Sequence, residues 1–328
     1  MAAVELTRRQ WLLATGALAA GSCRGSQTGP RWAGEFLGPD PQWGHLVRDP
    51  PVDHRPDREE RADVVILGGG VSGLSAAWTL ARAGVHDFAV LEMDEQPGGT
   101  ARGGSGPVSQ FPLGAHYLPV PASVDGARSL GVLLQELGVL TGFDAAGRAI
   151  CGEEHLCRAP QERIYHKGRW YEGLYLRAGA SAEDLRQLQR FHEEIGTWVR
   201  RRDAQGRRTF SVPGTRGRWR AAGAAELDGL SMADYLDRRG FTSPRLRWQI
   251  DYGCRDDFGV TLAQASAYAG VHYYAARLLH PDDAPPQVLT WPEGNAWITR
   301  RMALAIGDDR LHGGQTVLQV RAKHGPQA

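Results

Sequence analysis

The chain lacks several features that would place it in a class at once. Its 328 residues carry a formal net charge of only +1, because 38 lysine and arginine residues stand against 37 acidic ones. The basic residues form no single block, so the sequence gives no indication of nucleic-acid binding. Cysteine is scarce too: there are four, and no paired-cysteine or paired-histidine spacing accompanies them. No metal site is therefore predicted.

Long hydrophobic runs are also missing at the N-terminus. The apolar stretch at residues 11–20 is too short to span a bilayer as a stable helix. It follows Arg8 and Arg9, and this arrangement resembles a twin-arginine export signal. Residues 20–23 then resemble a bacterial lipobox, which implies lipidation of Cys23. We expect export by the twin-arginine pathway and a periplasmic or cell-surface protein held to the membrane by its lipid. Ordinary cleavage nearby, with a soluble product, is the alternative.

The composition changes after this signal, which is assigned to residues 1–23. Residues 24–60 are rich in proline, glycine, arginine and aspartate without an apolar period, as in a tether. Residues 61–328 suffice for one large domain or two intertwined ones, and the apolar content of 42% is ordinary for a soluble globular protein. Cys151 and Cys157 either close a small disulfide loop or remain thiols, and the sequence leaves this open.

Glycine, in contrast, is abundant, and its spacing near residue 70 is informative. An apolar run at residues 63–67 is followed by the glycine triad Gly68, Gly70 and Gly73. A helical pattern at residues 74–81 comes next, and then a second apolar run at residues 87–91 that ends at the acid Glu92. The acid stands nineteen residues after Gly73. This order predicts a dinucleotide-binding βαβ unit, in which a diphosphate meets the start of the helix.

Each residue type in this unit has a physical reason. Gly68 permits the tight turn, Gly70 lets a diphosphate approach the backbone, and Gly73 lets the helix pack closely on the strand. Ser72 lies in the first turn of the helix, where free N–H groups and the helix dipole favour phosphate. Glu92 can accept hydrogen bonds from ribose hydroxyls. Because Met93 and Asp94 offer no arginine for a 2′-phosphate, NADP is disfavoured, and NAD and FAD remain.

A second glycine pair distinguishes between NAD and FAD as the predicted cofactor. Gly98 and Gly99 follow the acid closely, and the block they open resembles the corresponding loop of flavin-containing amine oxidases and phytoene-desaturase-like enzymes. The resemblance implies FAD, with this loop passing the diphosphate and the flavin ring. The family usually has arginine directly after the glycine pair. This chain has Thr100 there and Arg102 two positions later, and both are candidate cofactor contacts.

The same resemblance extends to two further segments. Residues 111–119 form a strand-like segment in which Gly114, Ala115 and His116 would lie beside the flavin, with His116 the candidate catalytic side chain; a merely packed or solvent-facing histidine is the alternative. Residues 291–297 resemble a family segment that precedes a helix, here 298–306, and a strand, here 316–320. By the resemblance Val317 would contact adenine through its backbone. Asn295 replaces the second glycine of that segment.

We therefore predict an α/β protein with a Rossmann-like FAD-binding domain and an inserted mixed α+β substrate domain. Residues 61–120 would form the βαβ unit and flavin loop, residues 121–290 a partial substrate domain, and residues 291–328 the return toward the FAD domain. Within the substrate domain, the patterns predict helices and a hairpin at residues 125–140, 163–171, 182–202, 231–236 and from Pro244. The polar stretch at residues 251–259 is either a site or, preferably, a local salt-bridge network.

The predicted function is that of an exported FAD-dependent oxidoreductase of the amine oxidase type. It would pass a hydride from a C–N or C–C bond of a small-molecule substrate to flavin N5, with oxygen or a quinone as acceptor. In the family more substrate domain and a closing FAD segment follow, so we expect an incomplete member or one with a separate C-terminal half. The alternatives are a cofactor-poor fragment, a non-catalytic binding subunit of an exported complex, and an NAD-dependent dehydrogenase.

Overall fold

The computed structural model describes residues 34, 37–38, 40–49, 58–121, 128–145, 147–158, 162–211, 223–278, 280–281 and 287–322. The chain divides into two compact units, Met1–Leu37 and Gly38–Ala328, and the elements below belong to the second. The predicted signal with Cys23 lies outside the described residues. Within the predicted tether, Pro41–Arg48 is a helix without buried residues, whose first turn is capped by the carboxylate of Asp40.

The second unit is a mixed α/β structure. Its α-helices are α1 (Pro41–Arg48), α2 (Val71–Arg82), α3 (Arg128–Glu136), α4 (Ala182–Arg200), α5 (Ala224–Asp228), α6 (Met232–Arg238), α7 (Pro244–Phe258), α8 (Ala267–Ala275) and α9 (Ala296–Ile306). Its strands are β1 (Val64–Leu67), β2 (Phe88–Leu91), β3 (Gly103–Ser105), β4 (Gln110–Pro112), β5 (Tyr117–Pro119), β6 (Leu140–Phe143), β7 (Ala149–Cys151), β8 (Arg163–His166), β9 (Arg169–Glu172), β10 (Val288–Thr290) and β11 (Leu311–His312). Single 3₁₀ turns occupy Gly99–Ala101, Glu153–His155 and Asp308–Arg310.

A parallel sheet with the order β1-β2-β11 positions the candidate site. β1 pairs with β2 from Val64 opposite Phe88 onward, and β11 adds Leu311 opposite Val90. Parallel neighbours require a crossover, and α2 supplies it between β1 and β2. Helix α2 packs against α9, and together with the sheet they bury Leu74 and other apolar side chains in one core.

Five helices, α4 to α8, enclose a second core. Phe191 of α4 lies at its centre, with its ring edge-to-face against Phe241 at 5.7 Å and Tyr274 at 5.2 Å. Serine side chains cap four of the helices that surround it: Ser181, Ser231, Ser243 and Ser266 accept hydrogen bonds from the backbone of the first turn. The helices predicted at residues 231–236 and from Pro244 are confirmed, with Ser231 as the N-cap of α6 and Pro244 in the first turn of α7. This core forms the helical part of the predicted substrate domain.

Gln187 joins α4 to the start of α7, and its buried amide uses all of its hydrogen-bonding groups. Oε1 accepts from the backbone N–H groups of Thr242 and Ser243, each at 2.8 Å, and Nε2 donates to Glu183 and to the Thr242 hydroxyl. We expect Gln187→Leu to lower the free energy of unfolding by about 2–4 kcal/mol, because each buried donor left unsatisfied costs about 1–3 kcal/mol. Urea denaturation measures this. The exposed Gln189→Leu is the control, and equal losses in both variants would contradict the expectation.

The structure corrects three sequence predictions. The strand predicted at residues 316–320 is wrong: the third parallel strand is Leu311–His312, and because it occupies the edge of β2, the later segment pairs with no described strand. The segment at residues 111–119 is not one strand, since bends separate β4 from β5. The helix predicted at residues 125–140 ends early, at Glu136, because Gly138 adopts a left-handed conformation with φ +73°; residues 125–127 of that prediction lie outside the described residues.

The predicted hairpin is confirmed as β8 and β9. Lys167 and Gly168 form its turn with φ values of +47° and +80°, and such a two-residue turn requires left-handed backbone at both positions. Among the described residues Cys151, Cys157 and Cys254 are free thiols, and burial raises the pKa of Cys254 to about 11. None of the helices in the described ranges is long and apolar enough to cross a membrane.

Candidate functional site

The glycine triad builds the turn between β1 and α2. Gly68 follows β1 with φ +94°, a left-handed value that other residues adopt at a cost. Gly70 is the N-cap of α2 and has no side chain to cap it. A Cβ placed on Gly73 would lie 1.9 Å from the carbonyl oxygen of Gly68. Only glycine therefore lets the helix approach the strand this closely, and the first turn of α2 keeps its N–H groups free of helical partners.

The second glycine loop packs directly on this turn. The Gly98 N–H donates to the carbonyl of Gly69 at 2.8 Å, and Gly98 forms a parallel bridge with Gly70. A Cβ on Gly99 would lie 3.2 Å from the Cα of Gly70. The two loops thus pack on each other through glycines, which leave the backbone at this edge of the sheet without side chains to cover it.

Glu92 holds the end of β2 beside the turn. Its own N–H donates to His312 of β11, and its carboxylate accepts from the Gly69 N–H at 2.6 Å and the Asp94 N–H at 2.9 Å. A carboxylate can accept about four hydrogen bonds, so it retains capacity for further donors such as hydroxyls. The predicted ribose-binding acid is therefore in place next to the glycine turn.

Arg102 contributes a buried positive charge behind the second loop. Its Nη2 lies 3.3 Å from Asp94 Oδ2, and both side chains are largely buried. Arg102 Nε is also buried and has no hydrogen-bond partner among the described residues. Its side chain passes over Gly98, where a Cβ would lie 2.8 Å from Arg102 Cγ. A buried guanidinium nitrogen without an acceptor fits an anionic ligand, as the diphosphate of a dinucleotide would be.

The segment predicted to flank the flavin is joined to the second loop. The Ala115 N–H donates to the Thr100 carbonyl at 2.8 Å, and a Cβ on Gly114 would lie 2.4 Å from that same oxygen. From the other side, the Asn295 N–H donates to the Ala115 carbonyl at 3.0 Å. Gly294 has φ +64° and no space for a side chain. The three segments named by the resemblance are therefore adjacent.

His116 lies at the exposed edge of this arrangement. Its Nδ1 is 3.2 Å from the Gly114 carbonyl, and its ring lies edge-on to Tyr117 at 5.0 Å. The Thr290 hydroxyl donates to the His116 carbonyl. This hydrogen bond holds the backbone of His116 and leaves its imidazole unaffected. The imidazole is exposed rather than packed, and its catalytic role stays a prediction.

Tyr117 belongs to a group of charged and phenolic side chains that we call the acidic–tyrosine cluster. Its members are Tyr117, Glu162, Tyr252, Asp256, Asp257, Tyr273 and Arg277. Partial desolvation raises the pKa of Tyr117, and the carboxylates of Asp256 and Asp257 raise it further. Desolvation also raises the pKa of Glu162, with a smaller contribution from Asp256 and an opposing one from Arg277. Carboxylates of the helical part thus act on the strand that carries the predicted flavin-side segment.

This cluster resolves the two interpretations of the polar stretch at residues 251–259. Asp251 pairs with Arg255 at 2.6 Å and accepts from the Leu262 N–H, so this half is the local network that we preferred. In the other half, Asp257 pairs with Arg277 at 2.8 Å. Arg277 in turn lies 4.0 Å from the centre of the Tyr273 ring. That half belongs to the cluster.

Most of the predicted cofactor residues come together. Gly68, Gly70, Ser72, Gly73, Glu92, Gly98, Gly99, Thr100, Arg102, Gly114 and Ala115 lie on the contiguous segments described above. Val317 is half-buried on a segment whose start, Gln315, donates to the Glu92 carbonyl at 2.8 Å; its predicted strand is absent and its adenine contact remains a prediction. The sequence reasoning missed Asp94 as the partner of Arg102. The signal for it was an acid two residues after Glu92, facing the only arginine of the second loop.

Comparison with known proteins supports the nucleotide-binding unit. Residues 66–129 match the family of NAD(P)-binding Rossmann-like domains. The mitochondrial dimethylglycine dehydrogenase of Homo sapiens is 32% identical over 98 residues, which are 30% of this chain and 11% of that protein. A putrescine oxidase variant superimposes with a TM-score of 0.50 at 22% identity, over 76% of this chain and 50% of that one. Cyclohexylamine oxidase from Brevibacterium oxydans aligns at 19% identity, with a TM-score of 0.49, over 77% and 51%.

The family match and the superposition on putrescine oxidase establish the fold. The chain is a mixed α/β protein with a Rossmann-like unit, as predicted, and is similar in fold to putrescine oxidase. It spans about half the length of the solved structures and 11% of the dehydrogenase. The glycine cradle, the free carboxylate capacity of Glu92 and the unpartnered Nε of Arg102 fit FAD.

Proposed function

We propose that the chain binds FAD and serves as an FAD-dependent oxidoreductase of the amine oxidase type. The observation that carries the proposal is the packing of two glycine loops against each other at the carboxyl ends of β1 and β2, with the buried Arg102 behind them. Ligands of open α/β sheets bind at that edge. The fold of putrescine oxidase supports the reaction class.

In this proposal the chain's own residues divide the work. The first-turn N–H groups of α2 and Arg102 bind the diphosphate, and Glu92 accepts from ribose hydroxyls. Gly114 and Ala115 let the flavin ring lie against backbone, with His116 at its margin. FAD supplies the hydride acceptor, and the protein orients the substrate carbon and limits access of water.

The acidic–tyrosine cluster suits a substrate that carries a positive charge. Its three carboxylates, Glu162, Asp256 and Asp257, are opposed by one guanidinium, that of Arg277. Phenol rings beside carboxylates attract ammonium groups through both ring faces and charge. This charge pattern favours an amine substrate over a neutral polyene, and oxygen or a quinone would take the electrons.

Arg102→Met is expected to weaken FAD binding by about 10- to 100-fold, because a hydrogen bond to a charged group contributes about 1.5–3 kcal/mol. Titration of the apoprotein with FAD, followed by flavin fluorescence, measures the dissociation constant. Arg102→Lys should recover part of the affinity, since it keeps the charge but loses the planar fork. The control is Arg82→Met on the exposed side of α2. Unchanged FAD affinity in Arg102→Met would remove this residue from the site.

Export and lipid anchoring form a separate part of the proposal. They are supported by Arg8 and Arg9, the apolar stretch at residues 11–20 and the lipobox ending at Cys23. When the chain is expressed in a bacterium with a twin-arginine system, Cys23→Ser is expected to become extractable from the membrane by high salt, whereas the lipidated parent stays in the membrane fraction. Incorporation of radiolabelled palmitate should be lost as well. Cys151→Ser is the control, and palmitate labelling that survives Cys23→Ser would contradict the assignment.

A further inference from the structure

The hairpin of β8 and β9 presents an aromatic pair to solvent. Tyr165 and Trp170 face each other across the strands, their ring centres lie 5.1 Å apart, and their exposed fractions are 61% and 65%. The neighbouring positions Ile164 and Tyr171, on the opposite face, are half-buried. The hairpin therefore packs one face on the protein and leaves two amphipathic rings in water.

Cationic side chains flank this pair on its own face and at the turn, while Arg169, opposite His166, lies on the other face of the hairpin. Arg163 lies over the Trp170 ring at 5.5 Å, and Lys167 and Arg169 are exposed at the turn. Glu172, opposite Arg163, is the single carboxylate within β8 and β9. Glu162 of the acidic–tyrosine cluster precedes Arg163 at the base of the hairpin. The turn end, in contrast, combines Trp and Tyr with a net positive charge, the residue types that prefer the boundary between lipid headgroups and acyl chains.

We propose that this hairpin end, defined by Arg163, Tyr165, Lys167, Arg169 and Trp170, docks on an anionic lipid surface. Charge complementarity selects that occupant, because each cation near an anionic bilayer adds about 1 kcal/mol, or about fivefold in partitioning. A two-stranded tip is also small beside the roughly 800 Å² that each partner buries in a stable protein interface. Insertion into the headgroup region needs only the two rings.

The docking would orient the folded part of the chain independently of any acyl chain. Two independent signals hold a protein to a membrane more firmly than one. The hairpin supplies such a second signal without relying on FAD binding. The proposal consequently stands or falls separately from the proposed reaction.

The test uses the full chain with Cys23→Ser, so that no lipid is attached. Binding to phosphatidylcholine vesicles with 30% phosphatidylglycerol is measured by cosedimentation, with pure phosphatidylcholine vesicles as reference. We expect anionic vesicles to bind the protein at least about 25-fold more tightly, as two or more cations predict. Tyr165→Ser with Trp170→Ser should reduce binding about tenfold or more. Trp248→Ser, a similarly exposed tryptophan on α7, is the matched control.

A second readout separates the hairpin from the apolar stretch at residues 11–20. Trp170→Phe keeps an apolar ring but removes one fluorophore, so the difference from the parent isolates the emission of Trp170. Quenching of that emission by dibrominated phosphatidylcholine in the anionic vesicles is the expected result. Binding without quenching of Trp170, equal binding of the double serine variant, or no preference for anionic vesicles would each overturn the proposal.

Discussion

Gly70→Val is expected to abolish FAD retention while the chain remains folded. The backbone of Gly70 has φ −71° and ψ −177°, which valine adopts without strain, and the nearest atom to an added Cβ is the Cα of Gly99 at 3.9 Å. The two valine methyl groups would fill the space between the loops in which the diphosphate must approach backbone. A loss of about 2.8 kcal/mol or more corresponds to roughly 100-fold weaker binding.

The measurement is the FAD content after reconstitution and desalting, with circular dichroism to confirm the fold. Gly142→Val in β6 is the matched control, because Gly142 has open space around it and valine favours strands. The control should retain the cofactor as the parent chain does. Full flavin occupancy in Gly70→Val would show that the loops do not bind the diphosphate.

Gly73→Ala, by contrast, is expected to disrupt the βαβ unit itself. The added Cβ would lie 1.9 Å from the Gly68 carbonyl oxygen and 3.3 Å from a methyl group of Ile66. Because the nearest atom belongs to the backbone, no rotamer change relieves the clash, and α2 must move away from β1. We expect a loss of about 4–5 kcal/mol in the free energy of unfolding, the range reserved for severe core disruption.

Urea denaturation of the apoprotein measures this effect without any cofactor. Gly44→Ala in α1 is the control, since that position has open space and alanine favours helices by about 1 kcal/mol over glycine. If Gly73→Ala were as stable as the parent, the close packing of α2 on β1 would be wrong. The two variants thus separate the role of Gly70, which allows the ligand to approach, from that of Gly73, which allows α2 to pack on β1.

The local features of the fold were predictable because single residues dictate them. The glycine triad demands a strand, a turn and a helix in that order, and the Lys167-Gly168 turn predicts its hairpin through the left-handed backbone that both positions adopt. The third strand was misplaced because Leu311 and His312 form a strand of two residues, too short for an alternating pattern. Residues 316–320 carry a better strand pattern, but the edge of β2 is already taken.

The parts of the site that depend on spacing within a motif were predictable, whereas the contacts that depend on how separate segments pack together were not. Glu92 was identified from its distance to the glycines, and it does contact Gly69. The pairing of Arg102 with Asp94 depends on how the second loop folds back, which no spacing rule encodes. The effect of Asp256 and Asp257 on Tyr117 links segments more than a hundred residues apart, and it arises only when the helical part packs beside β5.

The measurement that tests the central claim most directly is the visible absorption spectrum of the purified full chain after incubation with FAD and thorough desalting. A parallel sample incubated with NAD is assayed for bound nicotinamide nucleotide. The predicted result is a retained flavin spectrum at near-stoichiometric content and no bound nicotinamide nucleotide. A colourless protein that folds normally, or one that retains NAD instead of FAD, would contradict the assignment of this site to flavin.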